Sequence, residues 1–467
     1  MGKTAYSSAL NYVYSFVDKG VTRRQRYSPD GTELQRIRNL LERLDNPHSE
    51  YPSVHVAGTK GKGSVSAMAA AILQAAGYSV GLYTSPHLQR FTERIQINST
   101  EITQDDVIAL VEELKPHAEK VKGLTTYDLI TAMGFLYFAR QEVSCAVVEV
   151  GLGGRLDPTN VLIPSVSVIT SISYDHMHLL GYSLSEIARE KAGIIKPGVP
   201  VILAPQQPEA ERVVVQIAEE RGAPIKIVGQ DWLFSPGQRQ LEGQSFFVWS
   251  SDEQERMDAY VESTGSEAWA PHRYTIPLLG YHQVINGAVS YAAIQAVSRH
   301  GLPVNEDATR RGFENVSWRG RFQVLSSSPT VIVDSAHNRD SALKLRIAMD
   351  DYFPGRHVTM IFGASEDKDL EGMLAELLPR VSKLVVTQAD HPRSADPEVL
   401  TNLAHSHGVR VEVVHPVSLA LKHGLEMLGP EDVLVVTGSI FVVGEALTAW
   451  DETHSQSHLP ALQREAQ

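Results

Sequence analysis

The stretch VHVAGTKGKGSVSAMAAAILQAAG, residues 54–77, constrains this chain more than any other. A short apolar run ends in a loop of Gly and Lys, and a small-residue run with helical spacing follows. Strand, glycine loop, helix is how a chain holds a phosphate. The loop Gly58-Thr59-Lys60-Gly61-Lys62-Gly63-Ser64 departs from the strict Walker spacing, because Lys62 is followed by Gly63 and the hydroxyl arrives one residue later, at Ser64. The physical parts are all present. Gly58, Gly61 and Gly63 let backbone N–H groups turn inward. Lys62 can reach the β- and γ-phosphates, and the helix N-terminus adds its dipole. The bland alternative is an ordinary glycine turn.

Around this loop the pattern is parallel α/β. Strands are expected at residues 54–58, 79–85, 145–151, 166–172 and 199–204, with helical stretches between them. One of these, opening at Thr103 and two acids, has the start of a capped helix. Residues 230–276 read instead as a small antiparallel patch, and residues 278–297 as loop then helix. A second alternating series begins near Arg321, so a domain boundary is placed at 317–319, giving units 1–317 and 318–467. Residues 453–467 read as a frayed end.

Composition narrows the class. The 467 residues suffice for two or three domains, and no apolar run approaches a membrane span. The first twenty residues lack the apolar core of a secretion signal. The formal charge of −13 disfavours nucleic acid as a partner but leaves anionic small molecules open. The one cysteine, Cys145, sits in an apolar run and can make neither an internal disulfide nor a cysteine zinc cluster. A cytoplasmic protein is expected.

Four more segments carry candidate chemistry. In VVEVGLGGRLDPTN, Glu149 lies near a strand end, where an acid is costly without a cation or donor. It is a candidate Mg²⁺ ligand, or else a partner of Arg155. In SISYDHMHLLG, His176 or His178 can be a metal ligand or a hydrogen-bonded structural histidine. In REKAGIIKPG, Lys191 has mostly apolar neighbours. A desolvated lysine loses its proton easily, and a neutral amine can add CO₂ to give a carbamate that binds Mg²⁺. A solvated helix lysine is the alternative. In VIVDSAHNRD, Asp334 ends an apolar strand and His337 and Asn338 follow, as a polar cluster or as simple helix capping by Asn338 or Asp340.

Together these segments resemble the folylpolyglutamate synthase and dihydrofolate synthase family of Mur-type ATP-dependent amide ligases. The ordered set is GTKGKGS (58–64), TSPHL (84–88) with ERIQIN after it, EVGLGGRLDPTN (149–160), DHMHLLG (175–181), EKAGIIKPG (190–198), LLGYHQVIN (278–286), Gly320-Arg321, DSAHN (334–338) and a final segment from Gly438 to Glu445. The resemblance implies a phosphate-loop parallel-sheet domain followed by a smaller Rossmann-like α/β domain. It implies ligation of L-glutamate to dihydropteroate, to reduced folates, or to both, by a monomer through an acyl phosphate, with the bifunctional reading preferred.

The resemblance also implies roles. Gly58 to Ser64, with Asn286, Arg321 and Asp334, hold ATP. Ser85, Glu149 and His176 hold Mg²⁺, in two sites. Lys62, Lys191 as a carbamate, and His337 take part in catalysis. Thr125, Thr126, Tyr127 and Asp128 line the pterin side, flanked by Arg155, Leu156 and Asp157. Three departures stand out: Lys60 replaces the usual Asn, Asp128 replaces a common Glu, and Ser335 replaces a common Gly. The rivals are a muramoyl-peptide ligase and a nucleotide switch without ligase chemistry. GLGGRLDPTN and TSPHL disfavour the first, and Lys191 with the 334–338 cluster the second.

Overall fold

A computed structural model describes residues 2–16, 33–265, 269–405 and 407–455. The expected frayed end at 453–467 lies largely outside these residues. The first sheet contains β1 (Ser53–Ala57), β2 (Val80–Tyr83), β3 (Ile95–Ile97), β4 (Thr100–Glu101), β5 (Cys145–Glu149), β6 (Val166–Ile169), β7 (Val201–Leu203) and β8 (Ile225–Ile227). Their order is β4-β3-β2-β5-β1-β6-β7-β8. The six strands from β2 to β8 in that order are parallel, and β3 and β4 add an antiparallel edge. Five of the six were legible as apolar runs. Each ends one to three residues before the sequence pattern does, because the last residues of each run leave the sheet to build loops. The short strands β3, β4 and β8 carry too few residues to show a period.

The helices that shape the site are α1 (Lys62–Ala75), α2 (Thr126–Arg140), α3 (Leu184–Ala192), α4 (Tyr281–Ser298), α5 (Glu306–Asn315) and α6 (Arg339–Tyr352). Thr103 caps the helix Gln104–Ala118 as its sequence suggests, its side-chain oxygen accepting from the Asp106 N–H. The patch at 230–276 is a three-stranded antiparallel sheet of β9 (Trp232–Gln240), β10 (Gly243–Ser250) and β11 (His272–Ile276). A third sheet follows α5. It contains β12 (Gln323–Ser327), β13 (Thr330–Asp334), β14 (Val358–Phe362), β15 (Val381–Val386), β16 (Arg410–Val413) and β17 (Val433–Thr437), in the order β12-β13-β17-β14-β15-β16. All its pairings are parallel except the β12 edge. The chain is therefore an α/β protein with two parallel-rich sheets, each in its own domain. No helix among the described residues is long and apolar enough to cross a membrane.

Central strands of a sheet covered on both faces are near-continuous apolar runs. β1, β5, β6 and β13 are buried at every position. Cys145, at the start of β5, is part of this core, and burial pushes its thiol up to about 12. β1 lies between β5 and β6. Three neighbouring strands thus deliver their C-terminal ends to one crevice, where open α/β sheets bind ligands.

The face of α1 opposite the sheet packs on α5 and α4, with Ile72, Phe313 and Val289 in one core. The approach of α5 is so close that a Cβ at Gly312 would collide with the Ile72 main chain. Backbone cannot swing away as a side chain can. Gly312→Ala is expected to destabilise the protein by about 1–3 kcal/mol, the range for overpacking. A thermal melt would read this as a Tm several degrees lower, and an unchanged Tm would refute the packing.

Candidate active site

The loop after β1 is anchored to its neighbour strand. The N–H groups of Thr59 and Lys60 donate to the Ser171 carbonyl at 2.8 and 3.1 Å, tying the loop to the end of β6. Gly61 sits at φ +87°, and a Cβ there would collide with the Asn286 amide. A Cβ at Gly63 would lie 2.6 Å from the Trp318 ring. Glycine therefore serves both close approach and conformation at Gly61, and close approach alone at Gly63. Gly61 caps α1 without a side-chain bond, which leaves the first-turn N–H groups to face the crevice.

A cavity of about 210 Å³ lies over this loop. Its lining includes every residue from Gly58 to Ser64, with Ser85, Glu149, His176, Lys191, Asn286, Arg321, Asp334 and His337. These come from the ends of β1, β2, β5 and β6 and from α1, α3 and α4 of the first domain, and from the segment before β12, the end of β13 and the loop after it in the second. The structure thus brings together all the residues placed on ATP, on metal and on catalysis by the sequence reading.

Glu149 is 4% exposed. Burial raises its pKa, opposed by the Lys62 charge and by the Ser85 N–H, which donates to it at 3.2 Å. Lys62 Nζ lies 3.9 Å from the same carboxylate. Arg155, the alternative partner read from the sequence, pairs instead with Glu190 at 2.9 Å. The Ser85 hydroxyl meets the Tyr127 hydroxyl at 2.9 Å.

Lys191, also 4% exposed, is not a solvated helix lysine. Its ammonium donates to the Gly58 carbonyl at 2.7 Å. Burial, with Lys62 nearby, pushes its pKa down to about 7. The capped helix α3 holds it there: Ser183 and Glu186 form a reciprocal capping box at the N-terminus.

Metal fit rests on the donors. Among the described residues no three His, Cys, Asp or Glu side chains cluster into an all-protein cage. Mg²⁺ does not require one, since it keeps waters and uses one or two carboxylates with substrate phosphates. Glu149, with the Ser85 hydroxyl beside it, is a hard-oxygen set of that kind. His176 occupies the left-handed region at φ 48° and burial pushes it down to about 4, so its ring is neutral near pH 7. His178 is outside the cavity lining.

The second domain closes the far wall. The Asp334 carboxylate accepts from the Phe322 and Ala336 N–H groups at 2.7 and 2.9 Å, and burial raises its pKa against the nearby Arg321. His337 Nδ1 donates to the Ser335 carbonyl at 2.8 Å, because a carbonyl can only accept. Nε2 therefore carries the lone pair, and Lys60 Nζ lies 2.9 Å from it. Asn338 both caps α6, accepting from the Ser341 N–H, and reaches back across the interface.

Its target is Asp175, which the sequence motif contains but to which the sequence reading gave no role. One carboxylate oxygen accepts from Lys60 at 3.1 Å and from Asn338 Nδ2 at 3.0 Å; the other accepts from Lys368 at 3.3 Å. Two first-domain and two second-domain groups thus meet there. Lys368 and Lys344 belong to this neighbourhood too, with no spacing signal to announce them, as do His282 and Gln283, which lie in the LLGYHQVIN segment without an assigned role. Asp175 was legible as an acid beside a histidine after an apolar strand.

The pterin-side segment is arranged differently. Thr125 and Asp128 form the capping box of α2, and Asp128 is fully buried, 3.5 Å from Arg36 Nε. Thr126 donates to the Phe16 carbonyl at 2.6 Å. Asp157 accepts from the N–H groups of Leu152 and Thr159 at 2.9 and 3.0 Å. Leu156 is partly exposed. Of these residues, Tyr127 touches the cavity lining through Ser85, and Asp157 does so through Leu152.

Known proteins resemble this chain in sequence and in fold. The family model described as Mur ligase middle domain matches residues 56–294, and that described as Mur ligase, glutamate ligase domain matches residues 320–440. The dihydrofolate synthase/folylpolyglutamate synthase of Bacillus subtilis is 32% identical over 455 residues, covering 95% of this chain and 98% of that protein. The Escherichia coli protein of the same name is 32% identical, over 86% and 87%. A solved structure of E. coli FolC in complex with DHPP and ADP superposes with a TM-score of 0.81 at 30% identity, covering 96% of this chain and 98% of that one. A Mycobacterium tuberculosis folylpolyglutamate synthase complexed with ADP and AMPPCP does so at 0.81, also at 30% identity. With two domains, a phosphate loop, and sequence and structural likeness running almost end to end, this chain belongs to the folylpolyglutamate synthase/dihydrofolate synthase family of Mur ligases.

Proposed function

We propose that this ATP-dependent ligase joins L-glutamate to dihydropteroate and to reduced folates, through an acyl phosphate. The observation that carries the reading is the single cavity in which Lys62, Glu149 and Lys191 of one domain face Arg321, Asp334 and His337 of the other. A carboxylate and an amine do not condense unaided in water. In the first step an acceptor carboxylate oxygen bonds to the γ-phosphorus, the bond to the β,γ-bridging oxygen breaks, and ADP forms. In the second the glutamate amine attacks the acyl carbon, the carbon–oxygen bond to phosphate breaks, and the amine loses a proton.

The chain's groups serve these steps electrostatically. Lys62 and the first-turn N–H groups of α1 offset charge on the transferring phosphoryl. Asn286, Arg321 and Asp334 hold the nucleotide. Ser85 and Glu149 are assigned to one Mg²⁺, and His176 with Lys191 to a second, Lys191 as its carbamate. Bound there, Mg²⁺ neutralises phosphate and carboxylate charge. His337 receives a positioning role, since its Nε2 lone pair faces the Lys60 ammonium. Closure across Asp175 keeps water from the acyl phosphate. The pterin side is placed at residues 125–128 and 155–157, the domain division at 317/318. The protein is proposed to act as a cytoplasmic monomer.

The test is ADP release with Mg²⁺, ATP and L-glutamate, with dihydropteroate or tetrahydrofolate supplied separately and product mass read in parallel. Turnover with both establishes the two activities. Turnover with tetrahydrofolate alone leaves a polyglutamate synthase, and turnover with neither overturns the folate reading.

Three substitutions probe the parts. Glu149→Gln should lower kcat about a hundred- to a thousandfold, the cost of deleting one preorganised electrostatic group. Its Mg²⁺ dependence should weaken while its melting curve stays intact; an unchanged Mg²⁺ dependence removes it from the metal site. Asp175→Asn leaves Lys60 and Lys368 without their carboxylate and loosens closure. A fall of about a hundredfold in kcat is expected, as for a small misplacement of reacting groups, with a rise in glutamate-independent ATP hydrolysis. Lys191 should bind CO₂ only above its pKa, where the amine is neutral. A ¹³C carbamate signal should therefore grow as pH rises through about 7. It should be absent in Lys191→Ala, whose turnover bicarbonate cannot restore. Full activity of that variant sinks the role.

A further inference from the structure

A second and larger cleft, about 540 Å³, opens on the other side of the Ser85–Pro86 segment. Its floor is the face of α1 carrying Ala67, Ala70, Ala71 and Ala75, whose small side chains leave the groove open. The β2–β3 edge and residues 315–319 between the domains form its walls. Pro86 and Arg321 line both this cleft and the catalytic cavity, so the two spaces meet beside the reacting groups.

Its rim is cationic, on a chain whose formal charge is −13. Arg90, Arg311 and Arg319 stand along it, beyond Arg321 at the junction. Arg311 donates to the Ala75 carbonyl at 3.1 Å and has no acidic partner among the described residues. Arg90 and Arg319 pair with Glu101 and Asp451, but these pairs are solvent-exposed at 55%/29% and 37%/44%. Exposed pairs of this kind contribute little and exchange readily with another carboxylate. The two acids on the lining are already engaged. Glu93 accepts from the N–H groups of Leu88, Gln89 and Arg90, and Glu101 accepts from Arg90 and Thr92. The side-chain amide of Asn98 also lines the cleft, while the amides of Gln74 and Gln96 donate to the Asn98 and Glu93 carbonyls.

We propose that this cleft holds the anionic γ-glutamyl chain of an acceptor while its terminal carboxylate occupies the catalytic cavity. The proposal rests on the ligase reading above. An aliphatic backbone with a carboxylate on every unit matches an alanine floor under an arginine rim. Guanidinium–carboxylate contacts give that match its strength. The cleft then bears on acceptors in proportion to their tails, and dihydropteroate, which carries no glutamate, makes no use of it.

The experiment compares three acceptors, dihydropteroate, tetrahydrofolate with one glutamate and tetrahydrofolate with three, on wild type, Arg311→Ala and Ala71→Trp. Arg311 is exposed and Ala71 is partly so, and neither is in the catalytic cavity. Arg311→Ala should raise KM for the triglutamate about tenfold, the scale of one lost charged hydrogen bond. KM for the other two should stay within about twofold. Ala71→Trp, which fills the groove, should repeat the selectivity by a steric route. An equal shift for all three acceptors, or none for the triglutamate, overturns the proposal. So does a wild type that uses dihydropteroate yet extends no glutamylated acceptor, although the ligase reading then survives. A wild type inactive with every acceptor overturns the ligase reading, and this proposal with it.

Discussion

Buried positive charge is the constraint on which the site depends. Lys60, Lys62 and Lys191 stand around one loop, with Lys368 reaching in from the second domain. Burial pushes Lys60 down to about 8 and Lys191 to about 7, and neighbouring lysines add to both shifts. Desolvated like charges at close range are tolerated only with counter-charge. Glu149, Asp175 and Asp334 supply part of it, each tied to backbone donors or cations. The triphosphate of the proposed reaction would meet the remaining positive charge, as in a preorganised phosphoryl-transfer site.

The same balance joins the domains. Asp175 stays ionised because the Lys60 and Lys368 ammoniums hold its carboxylate, an influence stronger than its burial. One of the two comes from each domain. The domain contact and the neutralisation of buried charge therefore fall at the same carboxylate. Lys60, the residue that departs from the family's usual Asn, takes part in this contact rather than pointing solely at the phosphate loop's ligand.

Much of this was legible in the chain. The parallel α/β class, the phosphate loop, the antiparallel patch and the two units all follow from apolar runs and glycine positions. Strand ends were misplaced by up to three residues, since apolar residues continue past the sheet into the loops that carry Gly151, Ser85 and Ser171. β3, β4 and β8 escaped because two or three residues show no period. The segment 125–128 shows a different limit. Its acid and hydroxyls read equally well as ligand contacts or as a helix cap, and in the fold Thr125 and Asp128 cap α2. Arg155 likewise had two acids within reach, and it took Glu190 instead of Glu149.

What the sequence by itself determined is the set of local parts: which residues must turn as glycine, where strands are buried on both faces, and which motifs stand at strand ends. These depend on backbone conformation and burial periodicity, both short-range. Only the tertiary structure decided which buried charges neighbour one another, that Lys191 meets Gly58 across 133 positions and Lys368 meets Asp175 across 193. It alone placed an arginine-rimmed cleft against the catalytic cavity. Electrostatic pairing acts through space between groups that no sequence period connects, so it appears only when the strand order and the domain contact are known.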